Sequence, residues 1–521
     1  MITAIRGDNK NERLHALSNF HVIAKALGSI RTRNELIPYT LETTDLDEKS
    51  LKKIAKELGI MLKEVGGVSE IQCLFKALKT ICENEDSSVR NAAVNSLIQI
   101  GKSLSSEEFN KSYSQFIQDI SKDNWYPLRC CGATISCRLY NQISKDDKQT
   151  FHKLFEAFCK DQSIMVRRSF AQSLPYLIQF QCPIEVISNI LKILSKDNSP
   201  AVLIELPNTL SSLPNSESKL KLEICQTIYG SGIWQAKSVL ITNIDKIFKP
   251  SEISKDFLKT ISQKSSSDPV STIRASIARQ LSYILESNCF GSFDSFQEYV
   301  TSLIADHNDD VRISVAESLG KMKNAPKEFM DVSLTLLLSD SEQEVKMEAL
   351  KSVAATGFAL KAASQRLMEL ITIRNWRVKR DVAMLIPKIA ATMDKNNFNN
   401  TMMKIVKSLL SDDANDVRNA TIEGLKDIAK TYGNDWIKSV VKPIIEEMYQ
   451  SNDYQIRKTA VIAAIRLDLV NDLDEMLKKA VSDQVPNVRL ILAKELPKGS
   501  KLLESLKVDN DVDVAYCASQ K

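Results

Sequence analysis

The histidines of this 521-residue chain are the first place to look for acid–base or metal chemistry, and there are four, His15, His21, His152 and His307. No two stand at a metal-ligand spacing. Ten cysteines lie at 73, 82, 130, 131, 137, 159, 182, 225, 289 and 517, most within apolar helical stretches. The adjacent Cys130 and Cys131 have no second Cys or His pair at zinc-site distance. Residues Met1 to Asn11 have neither an apolar signal core nor an Arg-rich, acid-free transit character, so buried free thiols are expected rather than disulfides. The glycine pair Gly66 and Gly67, in Val-Gly-Gly-Val, follows an apparent helix from Leu51 to Lys63 and reads as a helix stop, not a phosphate-cradling loop. The expectation is therefore no catalytic residue, no metal and no cofactor.

What does recur is a phrase without catalytic character: an Asp in a polar turn, with a hydrophobic residue and a basic one at the sixth position on. It runs from Asp123 to Arg129, Asp161 to Arg167, Asp268 to Arg274, Asp306 to Arg312, Asp340 to Lys346, Asp412 to Arg418 and Asp483 to Arg489. The intervals between successive Asp residues, 38, 107, 38, 34, 72 and 71, are one, two or three copies of a unit of about 36 residues. After each phrase apolar or small residues recur at i, i+4, i+5 and i+8, as in Val89, Ala93, Val94, Leu97 and in Val311, Val315, Ala316, Leu319. That spacing is one buried stripe of a helix. A second amphipathic stretch precedes each Asp, as in Tyr299, Leu303, Ile304 and in Met330, Val332, Leu334, Leu337. Two antiparallel helices per unit predict an all-α HEAT-repeat superhelical solenoid of about 15 helix pairs. The Asp is expected to accept backbone N–H bonds at the start of the second helix. The Arg is expected to reach the next unit's Asp, building a ladder. Such a stack leaves a ridge of turns along one edge, a surface suited to binding partners.

Composition agrees. The chain is 43% hydrophobic and 26% charged with only 15 Gly and 14 Pro, and it has no Asn-Gly or Asp-Gly hairpin turn between alternating runs. With 69 basic against 65 acidic residues the net charge is +4, too balanced to argue for nucleic acid. The densest basic cluster, Arg374, Arg377, Lys379, Arg380 and Lys388, is local and suits a protein contact as well as a phosphate one. No apolar run is long enough to span a membrane. A cytoplasmic and also nuclear location is expected.

Several phrases are more particular than any repeat consensus: Ala26 to Tyr39 (ALGSIRTRNELIPY), Val65 to Glu70, Asp123 to Tyr126 (DNWY), Met165 to Arg168, Asn375 to Lys379 (NWRVK), Pro486 to Arg489 and Asp511 to Val514. Together, and in this order along nearly the whole chain, they resemble the scaffolding A subunit of protein phosphatase 2A. That resemblance implies a horseshoe of fifteen repeats with no activity of its own. The C-terminal repeats (372–521) would hold a catalytic subunit. The N-terminal ones (1–266) would hold an exchangeable regulatory B-type subunit, with the free scaffold a monomer.

Carried over residue by residue, the resemblance implies catalytic-subunit contacts at Trp376, Arg377, Tyr454, Val485 and Asn487. It implies regulatory-subunit contacts at Trp125, Tyr126, Arg167, Arg168 and Trp234. Arg167 also serves the expected ladder, which leaves Arg168 the cleaner candidate. Departures from the family are Asn415, where an aromatic is expected, and Gln235 in place of an Arg. Another is the basic net charge in a family that is otherwise acidic. Trp436 opens a helix and is assigned to packing. Asp483 and Asp509 are only 26 residues apart, which predicts a trimmed repeat around Pro497 and Gly499 and a short, frayed or partner-covered last helix. The competing readings are another HEAT adaptor, such as a nuclear transport receptor, and a HEAT-like DNA repair glycosylase.

Overall fold

The computed structural model describes residues 2–7, 9–42 and 46–521, so Met1 and Asp8 of the N-terminal stretch lie outside it. The described residues form helices and turns with no strand. They fall into two compact units, Met1–Leu258 and Lys259–Lys521. Within each, consecutive helices pair antiparallel and the second helices of successive pairs stack on one another. In the first unit Ser87–Ser103, Tyr126–Arg138 and Ile164–Gln179 stack in this way. In the second the stack runs through Asp309–Leu319, Gln343–Thr356, Trp376–Ala390, Asn415–Tyr432, Tyr454–Arg466 and Pro486–Glu495.

The stripes read from the sequence are the core of this stack. Val89, Ala93 and Leu97, then Val166, Phe170, Ala171 and Leu174, then Val311, Val315, Ala316 and Leu319, are all completely buried. Each large apolar side chain among them contributes about 1.5–3 kcal/mol relative to exposure, so one stripe supplies most of what a helix pair needs to stay on its neighbour. First helices follow the same logic in part: Met330, Leu334 and Leu337 are buried, whereas Ile304 is half-buried and Val332 points out at 59% exposure. Cys82, Cys131, Cys137, Cys159, Cys182 and Cys225 are buried free thiols, and Cys289 is buried as well. Trp436 is packed in the interior, its indole N–H donating to Asn399 Oδ1 at 2.9 Å.

Two boundaries differ from expectation. The helix before the glycine pair is Glu48–Leu58, shorter than the apolar pattern implied, and a run of turns carries the chain on to Gly66 and Gly67. These take φ of 106° and 87°, backbone that favours glycine, and a Cβ on Gly66 would stand 2.8 Å from Arg33 Nη1. Near the C-terminus the trimmed repeat is real: after Gly499 the first helix is only Lys501–Leu506, and Val512–Ser519 follows it. Lys521 Nζ donates to the carbonyls of Lys494 and Leu496, tying this last element back to the preceding helix end.

Candidate protein-binding ridge

The turns that carry the Asp phrase are built on one hydrogen-bond scheme. The opening Asp does not cap the helix itself. It accepts the N–H two residues on, as from Ser163 to Asp161 (2.8 Å), Asn308 to Asp306 (2.9 Å) and Val485 to Asp483 (2.9 Å). Capping falls to a nearer side chain where one exists, such as Asn375 or Asp453. The basic residue six positions on folds its Nη1 back onto the carbonyl of its own turn: Arg167 to Asp161 (2.7 Å), Arg312 to Asp306 (2.8 Å), Arg489 to Asp483 (2.7 Å).

The remaining guanidinium nitrogens reach the next turn. Arg129–Asp161 and Arg167–Asp197 form rungs in the first unit. Arg274–Asp306, Arg312–Asp340, Lys379–Asp412, Arg457–Asp483 and Arg489–Asp509 form them in the second. Arg489 and the N–H of Asp511 hold the Asp509 carboxyl below its ordinary range against the opposing effect of burial, and Asp509 in turn holds the Arg489 guanidinium up. The ladder foreseen from spacing is present, and its charges are spent inside the protein. Lys346 breaks the pattern, making no ion pair among the described residues.

Measured from the turn-opening residue, the implied contact residues share a register. Tyr126, Trp234, Trp376 and Tyr454 each stand three positions on, as the first residue of their helices. Trp125 and Val485 stand two positions on. In the second unit Trp376, Arg377, Tyr454, Val485 and Asn487 therefore lie at the same end of stacked helices, where the rungs Lys379–Asp412 and Arg457–Asp483 tie the Trp376 turn and the Tyr454 turn each to the turn that follows it. Trp376 is half-buried between two cations, with Arg377 and Arg380 lying 4.9 and 5.5 Å from its ring centroid. Tyr454 takes a hydrogen bond on its hydroxyl from Gln455 Nε2 (2.9 Å), and Asn487 is exposed. Asn415, lacking the aromatic, is exposed at the same register.

In the first unit Trp125, Tyr126 and Trp234 are among the most exposed large apolar residues, at 45, 38 and 43%. Trp125 stacks obliquely on Tyr126. Arg167 is absorbed in its rung, as its spacing implied. Arg168 is less free than its sequence suggested, because Glu205 accepts from its Nε (3.0 Å) and from Gln172 (2.8 Å). Sequence reasoning passed over Ile164 and Met165, exposed at 45 and 43%. Counting from Asp161 would have found Ile164 at the register of Tyr126. It also passed over Arg380 as a wall of the Trp376 site, visible only once the helix turn is built.

Nothing here resembles a reaction centre. His21 is paired with Glu57 (2.8 Å) and His152 with the Tyr140 hydroxyl (2.8 Å). Burial, with Lys148 nearby, lowers the His152 pKa. Among the described residues no group of three or more His, Cys, Asp or Glu could hold a metal, and no helix is long and apolar enough to cross a membrane.

Comparison with known proteins adds sequence kinship. The family described as PIK3R4-like, middle domain, matches residues 262–467. A fission yeast (Schizosaccharomyces pombe) protein, named as the regulatory A subunit of protein phosphatase PP2A, is 27% identical over 259 residues, 48% of this chain and 44% of that one. The Dictyostelium discoideum protein phosphatase 2A scaffold subunit is 31% identical over 175 residues, 33% of this chain and 30% of that one. The alpha isoform of the Arabidopsis thaliana 65 kDa regulatory A subunit is 31% identical over 174 residues, with the same shares. The matched segments thus span less than half of these relatives. Solved structures of similar fold include Kap95p in complex with RanGDP, at TM-score 0.61 and 10% identity, covering 99% of this chain and 75% of that one. A structure of yeast importin-β (Kap95p) gives TM-score 0.51 at 12% identity, covering 99% and 72%. These relatives are named as regulatory or scaffold subunits and none as an enzyme's catalytic chain. The protein is a HEAT-repeat solenoid homologous to the regulatory A, or scaffold, subunits of protein phosphatase 2A.

Proposed function

We propose that this chain is a non-catalytic scaffold of a protein phosphatase 2A-type serine/threonine phosphatase. It would hold the catalytic subunit on the turns carrying Trp376, Arg377, Tyr454, Val485 and Asn487, and a regulatory B-type subunit on those carrying Trp125, Tyr126, Arg167, Arg168 and Trp234. The kinship to proteins named as A or scaffold subunits carries this reading. The turn register supports it, because Trp and Arg are the residues most enriched at interface hot spots and a stacked edge presents them in series. The chain would act in the cytoplasm and the nucleus. The likeness to transport receptors, at 10–12% identity, speaks for the fold alone.

The test is calorimetric titration of the chain with a phosphatase 2A-type catalytic subunit. Trp376→Ala combined with Tyr454→Ala is expected to cost about 2 kcal/mol or more, roughly thirtyfold in Kd, with helicity and melting nearly unchanged. No binding by folded wild-type chain refutes the scaffold reading, and unfolding of the double variant refutes the assignment of these side chains to an interface.

A further inference from the structure

One turn departs from the ladder in a way that leaves a buried cation without its anion. Arg418 is 3% exposed. Its Nη1 folds back onto the carbonyls of Asp412 (2.6 Å) and Asp413 (2.8 Å), as in the other arginine rungs. Its Nη2 makes only long contacts, to Asn415 Oδ1 (3.3 Å) and Gln455 Oε1 (3.4 Å). Its Nε is buried with no acceptor. Where Asp161, Asp306 or Asp483 would complete the rung, the next turn opens on Ser451. That serine keeps the rest of the scheme: its Oγ accepts the N–H of Asp453 (3.1 Å) and its carbonyl accepts from Arg457 Nη1 (3.0 Å). It lacks the second oxygen that takes the arginine Nε elsewhere, and the charge. The missing charge also bears on the guanidinium's pKa. Burial lowers it in Arg418 against the pull of Asp412, Asp453 and Asp413, whereas Arg129, Arg167, Arg274, Arg312, Arg457 and Arg489 are all raised by their aspartates. A second turn opens on a serine, Ser231, and there the preceding turn carries Leu203 in the arginine's place, so nothing is left unpaired.

We propose that Ser451 is a phosphorylation site whose phosphoryl group closes the rung to Arg418. The group would be bonded to the oxygen that occupies the aspartate's place, and would present its acceptors to the unsatisfied Nε and the weakly held Nη2. It also lies at the N-terminal end of the thirteen-residue helix Tyr454–Arg466, where the helix dipole favours negative charge. The turn is reachable, with Asn452 and Asp453 exposed beside it. The donor is ATP, bound by a protein kinase: the Ser451 Oγ–P bond forms as the γ-phosphorus parts from ADP, and the hydroxyl proton leaves to the kinase's base. This inference does not depend on the scaffold reading.

The experiment installs phosphoserine at 451 during synthesis of the full chain. The expected results are a melting temperature raised by about 2 °C or more and a phosphate second pKa, read by phosphorus NMR, below its free value of about 6. Both effects should vanish in Arg418→Gln, and should the Gln variant fail to fold, Arg418→Met, which keeps an unbranched stem without the charge, serves. An unchanged or lowered melting temperature overturns the proposal, as does an equal rise without Arg418. Ser451→Asp is the control: stabilisation by Asp but not by phosphoserine means the slot fits a carboxylate alone, and overturns it too. Phosphopeptide mapping of chain isolated from its own cells with phosphatases inhibited should find the Ser451 peptide modified. Recovery of that peptide in unmodified form alone rejects the assignment.

Discussion

Removing one rung from the middle of the second unit should cost far more than a surface ion pair, and the cost should stay local. Arg312 and Asp340 have side chains only 11 and 9% exposed, and they meet through Nε–Oδ2 at 2.6 Å and Nη2–Oδ1 at 2.9 Å. Arg312→Gln deletes both bonds and the one to the Asp306 carbonyl (2.8 Å). Charge-assisted bonds are worth about 1.5–3 kcal/mol each. Asp340 keeps the N–H of Glu342 (2.8 Å), and the exposed turn lets water reach what is vacated. The net loss is therefore about 3 kcal/mol, at the lower end for a broken buried pair. Asp340→Asn should cost about 2 kcal/mol, since the amide can still cap the turn while Arg312 loses its counter-charge. In a double-mutant cycle the coupling should be about 2 kcal/mol. Urea unfolding followed by circular dichroism gives these values. Hydrogen exchange gives their location, because each repeat touches only its neighbours: protection should fall in Asp309–Leu319 and Gln343–Thr356 and recover beyond them. Single-variant losses under about 0.5 kcal/mol, or a loss of protection spread evenly over the unit, would refute the ladder as a structural device.

The rungs also set a pH limit. The folded Asp509 carboxyl lies below its ordinary value of 3.8, chiefly through the Arg489 hydrogen bond. Its contribution is thus complete above that value and is lost as pH falls through the folded one. The stability gap between wild type and Arg489→Gln, measured by urea midpoints, should be flat from neutrality to about pH 4 and shrink below it. Gly132→Ala would place a Cβ 2.3 Å from Ser121 Oγ and 3.0 Å from its Cα. A loss of about 1–3 kcal/mol is expected, measured by thermal melting and relieved in part by Ser121→Gly. Burial pushes the Cys130 thiol up to about 11 and the Cys159 thiol up to about 12, so an aromatic disulfide reagent at pH 8 should leave both unmodified until denaturant is added. Fast labelling of either in the native chain would contradict their placement.

The fold was legible because a repeat states its own rule many times. The stripe at Val311, Val315, Ala316 and Leu319 specifies a buried helix face, and its copies at Val89, Val166, Ile273 and Val488 exclude accident. The rungs were legible for the same reason, since a six-residue offset from Asp to Arg recurs. What the sequence concealed is whatever depends on a neighbour in space. Arg168 looks free until Glu205 is brought beside it from 37 residues away. Val332 fits the apolar pattern of its helix and yet faces solvent, because a pattern does not fix which of two nearby apolar residues the partner helix covers. The Trp376 site reads in sequence as a Trp-Arg pair, whereas the fold supplies Arg380 from one helical turn on as a second cation against the ring.

The ladder explains why candidate recognition residues in this chain are aromatic or neutral more often than charged. A turn that opens on Asp and closes with Arg commits both charges to its own backbone and to the next repeat, and those positions cannot vary without a cost of several kcal/mol. Except at Asn415, whose Oδ1 accepts from Arg418 Nη2 (3.3 Å), the residue three places after the opening one touches neither bond. It is Tyr126, Ile164, Trp234, Asp309, Trp376, Asn415, Tyr454 and Val512 in successive or near-successive turns, and Val512 is 81% exposed. Side chains there can change size and polarity at the small cost typical of surface sites. The same backbone register can therefore be rewritten turn by turn without disturbing the stack. This separation lets a solenoid hold its fold at 27–31% identity to its relatives while the edge it offers to other proteins diverges.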